Sequence, residues 1–148
     1  MRGLAYARGV TNPADPLPSL LTALQPNYER PVPAAAWAGF ARRFLQPGER
    51  ALLAVEGEGL TWVDPLLIVT DRRLMRLRRG TFLGWRLLRE VPPAAVVSAR
   101  VEPGMLWARI VIEVAGQRSI RMHAADSDVA KGFVAGLHAL LQGRRPGA

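Results

Sequence analysis

The arginines between Asp71 and Glu90 are the side chains best suited to chemistry, and no acidic residue lies among them. Guanidinium groups stay charged at all physiological pH values, so a local surplus of them favours a polyanionic partner, either nucleic acid or an anionic membrane. The seven positions are Arg72, Arg73, Arg76, Arg78, Arg79, Arg86 and Arg89.

Alternation along residues 74–79 indicates a strand that carries some of this charge on one face. In a strand, Arg76 and Arg78 lie on the same face as Leu74, while Met75 and Leu77 lie on the other. We therefore predict a basic outer stripe that binds an anionic ligand. It consists of Arg76, Arg78, Arg79, Arg86 and Arg89.

The connection after this strand places apolar side chains between arginines. Phe82, Leu83 and Trp85 form a mixture that suits a membrane interface or the stacking of nucleic-acid bases. We predict that these three residues form an interfacial tip. The alternative is that they begin the next strand and fill the mouth of a barrel.

Two other connections carry apolar side chains that could be exposed. One contains Leu60 and Trp62, and the other contains Met105 and Leu106 followed by Trp107. If these tips met at one end of a barrel, they would form a wedge for lipid or for a protein partner. Trp62 and Trp107 also fit a core role, because large aromatic residues dominate the packing of small barrels.

The sequence nominates no catalytic residue, metal ligand or cofactor. It contains no HExxH pair, no phosphate-binding loop that ends in Lys-Ser or Lys-Thr, and no serine elbow. His123 with Asp126 and Asp128 could supply metal ligands, but acidic residues at this place also suit the start of a helix. We predict a helix start there and no enzyme.

Composition favours one domain with one core. The chain has 148 residues, is 49% hydrophobic, lacks cysteine and carries a formal charge of +8. We expect a cytoplasmic protein, with peripheral attachment to the inner membrane face as an option. A large excess of arginine over lysine is also typical of proteins from GC-rich genomes. The alternative is therefore that the basic residues only form a solvated surface.

Two predicted regions precede residue 48, a proline-rich arm and then a helix. Residues 1–35 are rich in proline and predict an extended arm with one helical turn near residues 19–24. Trp37, Phe40 and Phe44 recur at helical intervals, which predicts a helix over residues 36–46. We predict that this apolar face contacts a protein partner or a second copy of the chain.

From Gly48 onward the hydrophobic period changes to two, which is typical of an antiparallel meander. The side chains of the last two strands match best when Ile112 lies opposite Ile120 and Ile110 opposite Met122. A helix over residues 127–142 and a tail of 143–148 follow. The predicted strands are 50–57, 60–69, 73–80, 83–91, 95–101, 106–114 and 117–123.

These elements resemble the bacterial pleckstrin-homology-like domains, a group similar to GRAM domains. The resemblance rests on residues 45–49 (LQPGE), residues 70–74 (TDRRL), the Val91-Pro92 pair and the final helix, and it covers about residues 40–142. It implies a mainly β fold, a strongly bent antiparallel barrel of seven strands capped by the C-terminal helix. We therefore divide the chain into an arm (1–35), a domain (36–142) and the tail.

Such a fold implies a binding module without catalytic activity. The first hypothesis is protein–protein interaction or self-assembly, which includes a homo-oligomer. The alternative is peripheral binding to anionic lipid, and the third is nonspecific binding of nucleic acid. Residues 56–59 (EGEG) make the first hairpin loop acidic, which disfavours a specific inositol-phosphate site there.

Overall fold

The computed structural model describes residues 12–58, 64–82 and 84–144 of the chain. These residues form the α-helices α1 (Leu17–Leu24), α2 (Ala34–Phe44) and α3 (Ser127–Arg144). Short 3-10 helices occur at Gln25–Asn27 and Pro93–Ala95. The seven strands are β1 (Ala51–Glu56), β2 (Asp64–Thr70), β3 (Leu74–Gly80), β4 (Gly84–Val91), β5 (Val96–Glu102), β6 (Arg109–Val114) and β7 (Ile120–His123).

The strands form two antiparallel sheets, one in the order β1-β2-β3-β4 and the other in the order β5-β6-β7. Apolar side chains of both sheets and of α3 meet in one hydrophobic core, which includes Leu67, Ile110 and Phe133. An isolated bridge between Gly57 and Ala124 joins the sheets at one corner. The mainly β fold implied by the resemblance to pleckstrin-homology-like domains is thereby confirmed, including its C-terminal helix.

A second core lies on the other side of the four-stranded sheet. Residues of α1 and α2 pack there against Leu66, Ile68, Met75 and Leu77. Strand β2 is therefore buried on both faces, which explains its continuous apolar run. We call the side covered by α1 and α2 the helix face, and the side that points toward the three-stranded sheet the inner face.

The predicted register of the last hairpin is confirmed. Ile112 lies opposite Ile120, and Ile110 opposite Met122. All four side chains are buried in the core between the sheets. The burial of apolar side chains on one face thus fixes the pairing, because a shift by one residue would move them to solvent.

The boundaries of several elements differ from the predictions by a few residues. β2 begins at Asp64 rather than at residue 60, and residues 59–63, which include Leu60 and Trp62, lie outside the described residues. Helix α3 begins where expected. The side chain of Asp126 caps it by accepting hydrogen bonds from the N–H groups of Asp128 (2.8 Å) and Val129 (3.1 Å).

The described part of the N-terminal segment, from residue 12 onward, packs against the four-stranded sheet, whereas its prolines indicated an appendage. Leu20 and Leu24 in α1 have no exposed surface and belong to the second core. The Asn27 amide bonds to the edge of β1, donating to the carbonyl of Ala54 (3.0 Å) and accepting from the N–H of Glu56 (2.9 Å). The division at residue 35 stays a prediction, but packing does not separate the described residues on its two sides.

A buried carboxylate connects the two segments on which the resemblance rests. Glu49 is 1% exposed. It accepts hydrogen bonds from the Thr70 hydroxyl (2.6 Å), the Gln46 N–H (2.9 Å) and two guanidinium nitrogens of Arg73 (both 3.0 Å). Arg73 also donates to the Phe44 carbonyl and forms an ion pair with Glu90. We call Glu49, Thr70 and Arg73 the clamp.

The clamp keeps its charge in the folded state. Burial alone would raise the pKa of Glu49, but the hydrogen bonds from Arg73, Gln46 and Thr70 outweigh it and hold this pKa below its ordinary value. The hydrogen bond from Arg73 to Glu49 likewise raises the pKa of Arg73. The pair therefore contributes most to stability at neutral pH, where both groups are charged.

We predict that Leu20→Ala lowers the free energy of unfolding by about 2 to 5 kcal/mol, because it leaves a cavity in the second core. Urea denaturation followed by tryptophan fluorescence measures the change. Leu21→Ala, at a partly buried position of the same helix, serves as the control and loses less than half as much. Equal and negligible losses in both variants would mean that α1 does not support the domain.

We predict that Glu49→Gln lowers the free energy of unfolding by about 3 kcal/mol at neutral pH, because it leaves Arg73 without its buried partner. The folded-state pKa of Glu49 is depressed, so its contribution in the wild type is lost as pH falls through that pKa. The difference in the free energy of unfolding between wild type and variant therefore becomes smaller at acidic pH. Denaturation at several pH values measures it.

Glu113→Gln provides the control for this prediction. Glu113 pairs with Arg100 (2.9 Å), and the two side chains are 41% and 48% exposed. Exposed pairs contribute about 0.2 to 1 kcal/mol. A loss in Glu49→Gln no larger than that in Glu113→Gln would contradict the assigned role of the clamp.

Candidate functional site

Four of the predicted stripe residues form a compact array on β3 and β4. Arg76 lies directly opposite Arg89, and Arg78 directly opposite Arg86. Residues directly opposite in an antiparallel pair point to the same face, and their Cβ atoms are about 5 Å apart. Arg76 and Arg78 are two positions apart on one strand, so they also share that face. We call these four residues the arginine cluster.

The arginine cluster lies on the inner face, and not on an outer face as predicted. Met75 and Leu77, which point the other way, are buried beneath α1 and α2. Leu74, which shares the face of the cluster, belongs to the core between the sheets. The cluster is therefore the continuation of the inner face beyond that core, where Arg78 and Arg86 are exposed and Arg76 and Arg89 are partly buried.

Within the described residues, no member of the arginine cluster forms an ion pair with a carboxylate. Arg76 donates to the carbonyl of Leu77 (2.8 Å), and Arg89 donates to the side-chain oxygen of Gln117 (3.0 Å) in the turn before β7. Burial lowers the pKa of Arg76, and the charge of Arg78 lowers it further. The cluster thus concentrates positive charge without internal neutralisation.

Arg79, the fifth stripe residue, lies on the opposite face of the sheet. Its guanidinium pairs with Asp64, the residue opposite it on β2, and lies 5.4 Å from the ring centre of Trp85. The structure therefore separates Arg79 from the cluster. Its charge is already neutralised by a neighbour, so it is a weaker candidate for binding an anion.

A polar pocket of about 260 Å³ adjoins Arg79 at the same end of the sheet. In it the Tyr28 hydroxyl donates to a carboxylate oxygen of Glu56 (3.0 Å). Burial raises the pKa of Glu56, and burial together with Glu56 raises the pKa of Tyr28. Asp64 and Glu58 also line the pocket, so its charge does not suit an anionic ligand.

The predicted interfacial tip is only partly assembled. Phe82, at the turn between β3 and β4, is 94% exposed, so it does not fill the mouth of the barrel. Trp85 is partly buried and packs against the rings of Trp37 (5.6 Å) and Phe40 (5.3 Å) on the helix face. Leu83 lies outside the described residues. Phe82 alone is therefore described as an exposed aromatic tip.

The apolar face of α2 is covered by the chain's own sheet. Trp37 is 4% exposed and Phe40 is 5% exposed, and both belong to the second core. Phe44 is partly buried against the same core. The contact surface predicted from Trp37, Phe40 and Phe44 is thus used within the chain, because the N-terminal helices need it to pack on the helix face.

Two further observations concern metal and membrane. Asp126 caps α3 as described above, and Asp128 lies in the first turn of that helix. The described residues include no group of three acidic or histidine side chains that could hold a metal ion. Across residues 12–58, 64–82 and 84–144, no helix is both long enough and apolar enough to cross a bilayer.

Sequence reasoning missed Gln117, which the structure brings to Arg89. It also did not settle the direction of Met105 and Leu106, which are 103% and 76% exposed. The features that the sequence did not predict all involve residues in turns or connections. A turn has no alternating pattern from which the direction of a side chain could be predicted.

No protein-family model and no curated protein matches the chain. Among solved structures, the chain is similar to a pleckstrin homology domain from Shewanella amazonensis SB2B. The sequence identity is 18%, the alignment covers 70% of this chain and 96% of that one, and the TM-score is 0.48.

We predict that Arg86→Gln raises the free energy of unfolding by about 0.2 to 1 kcal/mol at low salt, because it removes a like-charge pair directly opposite Arg78. The gain shrinks as added salt screens the repulsion. Urea denaturation at two salt concentrations measures both effects. Arg121→Gln is the control, since Arg121 is exposed and lies opposite Val111, and it gives no gain. Equal effects in the two variants would argue against repulsion within the cluster.

Proposed function

We propose that the chain is a non-catalytic binding module that attaches peripherally to anionic membrane surfaces. The arginine cluster provides the electrostatic contact, and Phe82 enters the interface beside it. The observation that carries the proposal is the cluster itself, in which four cationic side chains share one face with no carboxylate paired to them among the described residues.

The cluster supports binding to a charged surface because its charges are close together and not neutralised. Each basic residue near an anionic membrane contributes about 1 kcal/mol, so the four together contribute at most about 4 kcal/mol at low salt. An anionic surface also relieves the repulsion between Arg78 and Arg86. Attachment of this kind is reversible and weakens as salt increases.

Phe82 supports a membrane rather than a purely ionic partner. Gly80 lies opposite Gly84, and Arg78 opposite Arg86, so the turn that carries Phe82 is two residues away from the exposed part of the cluster. Its exposed ring costs little to insert beside charged headgroups, and burial of such a side chain contributes about 1.5 to 3 kcal/mol. The hairpin thus combines a charged and an apolar contact.

The burial of Trp37 and Phe40 removes the surface on which a protein contact was predicted. Single-stranded nucleic acid would be held by aromatic residues arranged as a stacking platform beside the arginines, and duplex phosphates would give the exposed apolar ring of Phe82 no partner. Trp85 lies on the opposite face, and Phe82 is the only aromatic residue described at this hairpin tip. Lipid is therefore the partner that the described residues favour. Binding to a protein or to nucleic acid is an alternative outcome of the test.

We predict that Arg78→Glu/Arg86→Glu lowers the partition onto anionic vesicles by at least about tenfold, since two attractive charges become repulsive. Co-sedimentation with vesicles of increasing phosphatidylserine content, at two salt concentrations, measures the partition. The variant should fold, because both side chains are exposed and the reversal relieves their repulsion with Arg76 and Arg89.

Arg42→Glu/Arg43→Glu is the matched control. It makes the same change in net charge on α2, which covers the helix face, and both side chains are exposed. We expect its partition to stay within about threefold of the wild type. Equal losses in the two double variants would leave only net charge as the cause. No binding of the wild type to any vesicle, or a higher affinity for DNA or RNA at the same salt, would overturn the proposal.

A further inference from the structure

A second apolar tip projects from the connection between β5 and β6. Met105 is 103% exposed and Leu106 is 76% exposed, and they are adjacent in the chain. Together with Phe82 they are the three most exposed large hydrophobic residues among those described. Large apolar side chains gathered on a surface indicate a contact with a membrane or another molecule.

The connection that carries Met105 and Leu106 is tightly built. A Cβ atom at Gly104 would lie 2.1 Å from the carbonyl oxygen of Trp107, so only glycine fits this turn. At its base, Glu102 pairs with Arg109 across the two strands (2.7 Å). The backbone of this connection is therefore closely packed at its base, and the two side chains project from it.

Gly57 lies between the segments that lead to the two apolar tips, and strand β2 separates it from the β3–β4 hairpin. The N–H of Ala124 donates to the carbonyl of Ala108 at the end of the β5–β6 connection (2.9 Å), and Ala124 bridges to Gly57. On its other side, Gly57 donates to the carbonyl of Pro65 (2.9 Å), next to the pair of Asp64 and Arg79 that leads into the Phe82 turn.

The crowding at Gly57 shows how closely these segments approach. A Cβ atom there would lie 2.3 Å from the His123 carbonyl oxygen and 2.8 Å from Pro65. The two tips therefore rise from the same end of the molecule, on the two sheets that this corner joins. A single surface laid against that end can touch both tips.

We propose that residues 105–106 are a second insertion point, which enters the lipid interface together with Phe82 when the arginine cluster meets anionic headgroups. The inference rests on the proposed function and adds to it a fixed orientation on the membrane. The partner is lipid because both tips are convex and project from turns. A protein partner would need a separate pocket for each tip, whereas the boundary between headgroups and acyl chains accepts both. The adjacent cationic cluster complements an anionic surface.

Neutral polar substitutions test the second insertion point without changing charge. We predict that Met105→Ser/Leu106→Ser lowers partition onto phosphatidylserine-containing vesicles by at least about tenfold, since the burial of even one side chain of this size strengthens binding by that factor. Val97→Ser is the matched control. Val97 is 52% exposed at the start of β5, the opposite end of that strand from residues 103–108, and its loss leaves partition unchanged.

A direct measure of insertion uses the absence of cysteine in the chain. Leu106→Cys and Val97→Cys each accept one environment-sensitive fluorophore. We expect a blue shift on addition of anionic vesicles for the label at position 106 and none for the label at position 97. A blue shift at position 106 that grows with protein concentration and needs no vesicles would assign the tip to a contact between copies and overturn the inference.

These experiments distinguish a failure of the second insertion point from a failure of membrane binding itself. If the wild type binds vesicles, loses binding in Arg78→Glu/Arg86→Glu and keeps it in Met105→Ser/Leu106→Ser, the second insertion point is overturned and the proposed function stands. A label at position 106 that stays in water while the protein is bound has the same meaning. If the wild type does not bind vesicles, both proposals fail.

Discussion

The clamp at Glu49 is the interaction on which the rest of this structure depends. A buried carboxylate is tolerated only when hydrogen bonds satisfy it and an opposite charge lies beside it. Here the partners come from the end of α2, the turn between β2 and β3, and, through Arg73, from Glu90 on β4. One charge pair therefore fixes the second core to the sheet that it covers. The two segments that carried the family resemblance thus have a structural role.

One face of the four-stranded sheet packs against helices, and part of the other face is exposed to solvent. α1 and α2 cover the helix face along most of β2 and β3, and this uses the aromatic residues of α2. The three-stranded sheet and α3 cover only part of the inner face, up to Leu74 and Val91. Beyond that point the same face carries arginine instead of apolar residues. The inner face of the β3–β4 hairpin beyond this core is therefore the part of that face that carries exposed arginine.

Alternation in the sequence predicted which residues share a face, but it could not predict which face the rest of the chain covers. Arg76 and Arg78 do lie together, opposite Met75 and Leu77. Their assignment to an outer face depended on treating residues 1–35 as an appendage, and Leu20 and Leu24 show that the described part of this segment covers the sheet. The register of β6 and β7 was accessible because its apolar pattern has one solution. The contact of Gln117 with Arg89 depends on how two sheets meet, which no local pattern records.

Through Arg73 and Glu90, the clamp is also connected to the strand that carries half of the arginine cluster. Arg73 reaches Glu90 on β4, directly before the point where Arg76 meets Arg89, so the ion pair lies at the base of the paired segment. A shift of β4 by one residue would send Arg86 and Arg89 to the helix face, where burial without a partner is costly. The register shifts between Arg76 and Leu77, and this shift places Arg78 opposite Arg86. The fold thus holds like charges opposite each other, against their repulsion, with the partly exposed Arg73–Glu90 ion pair a few residues away.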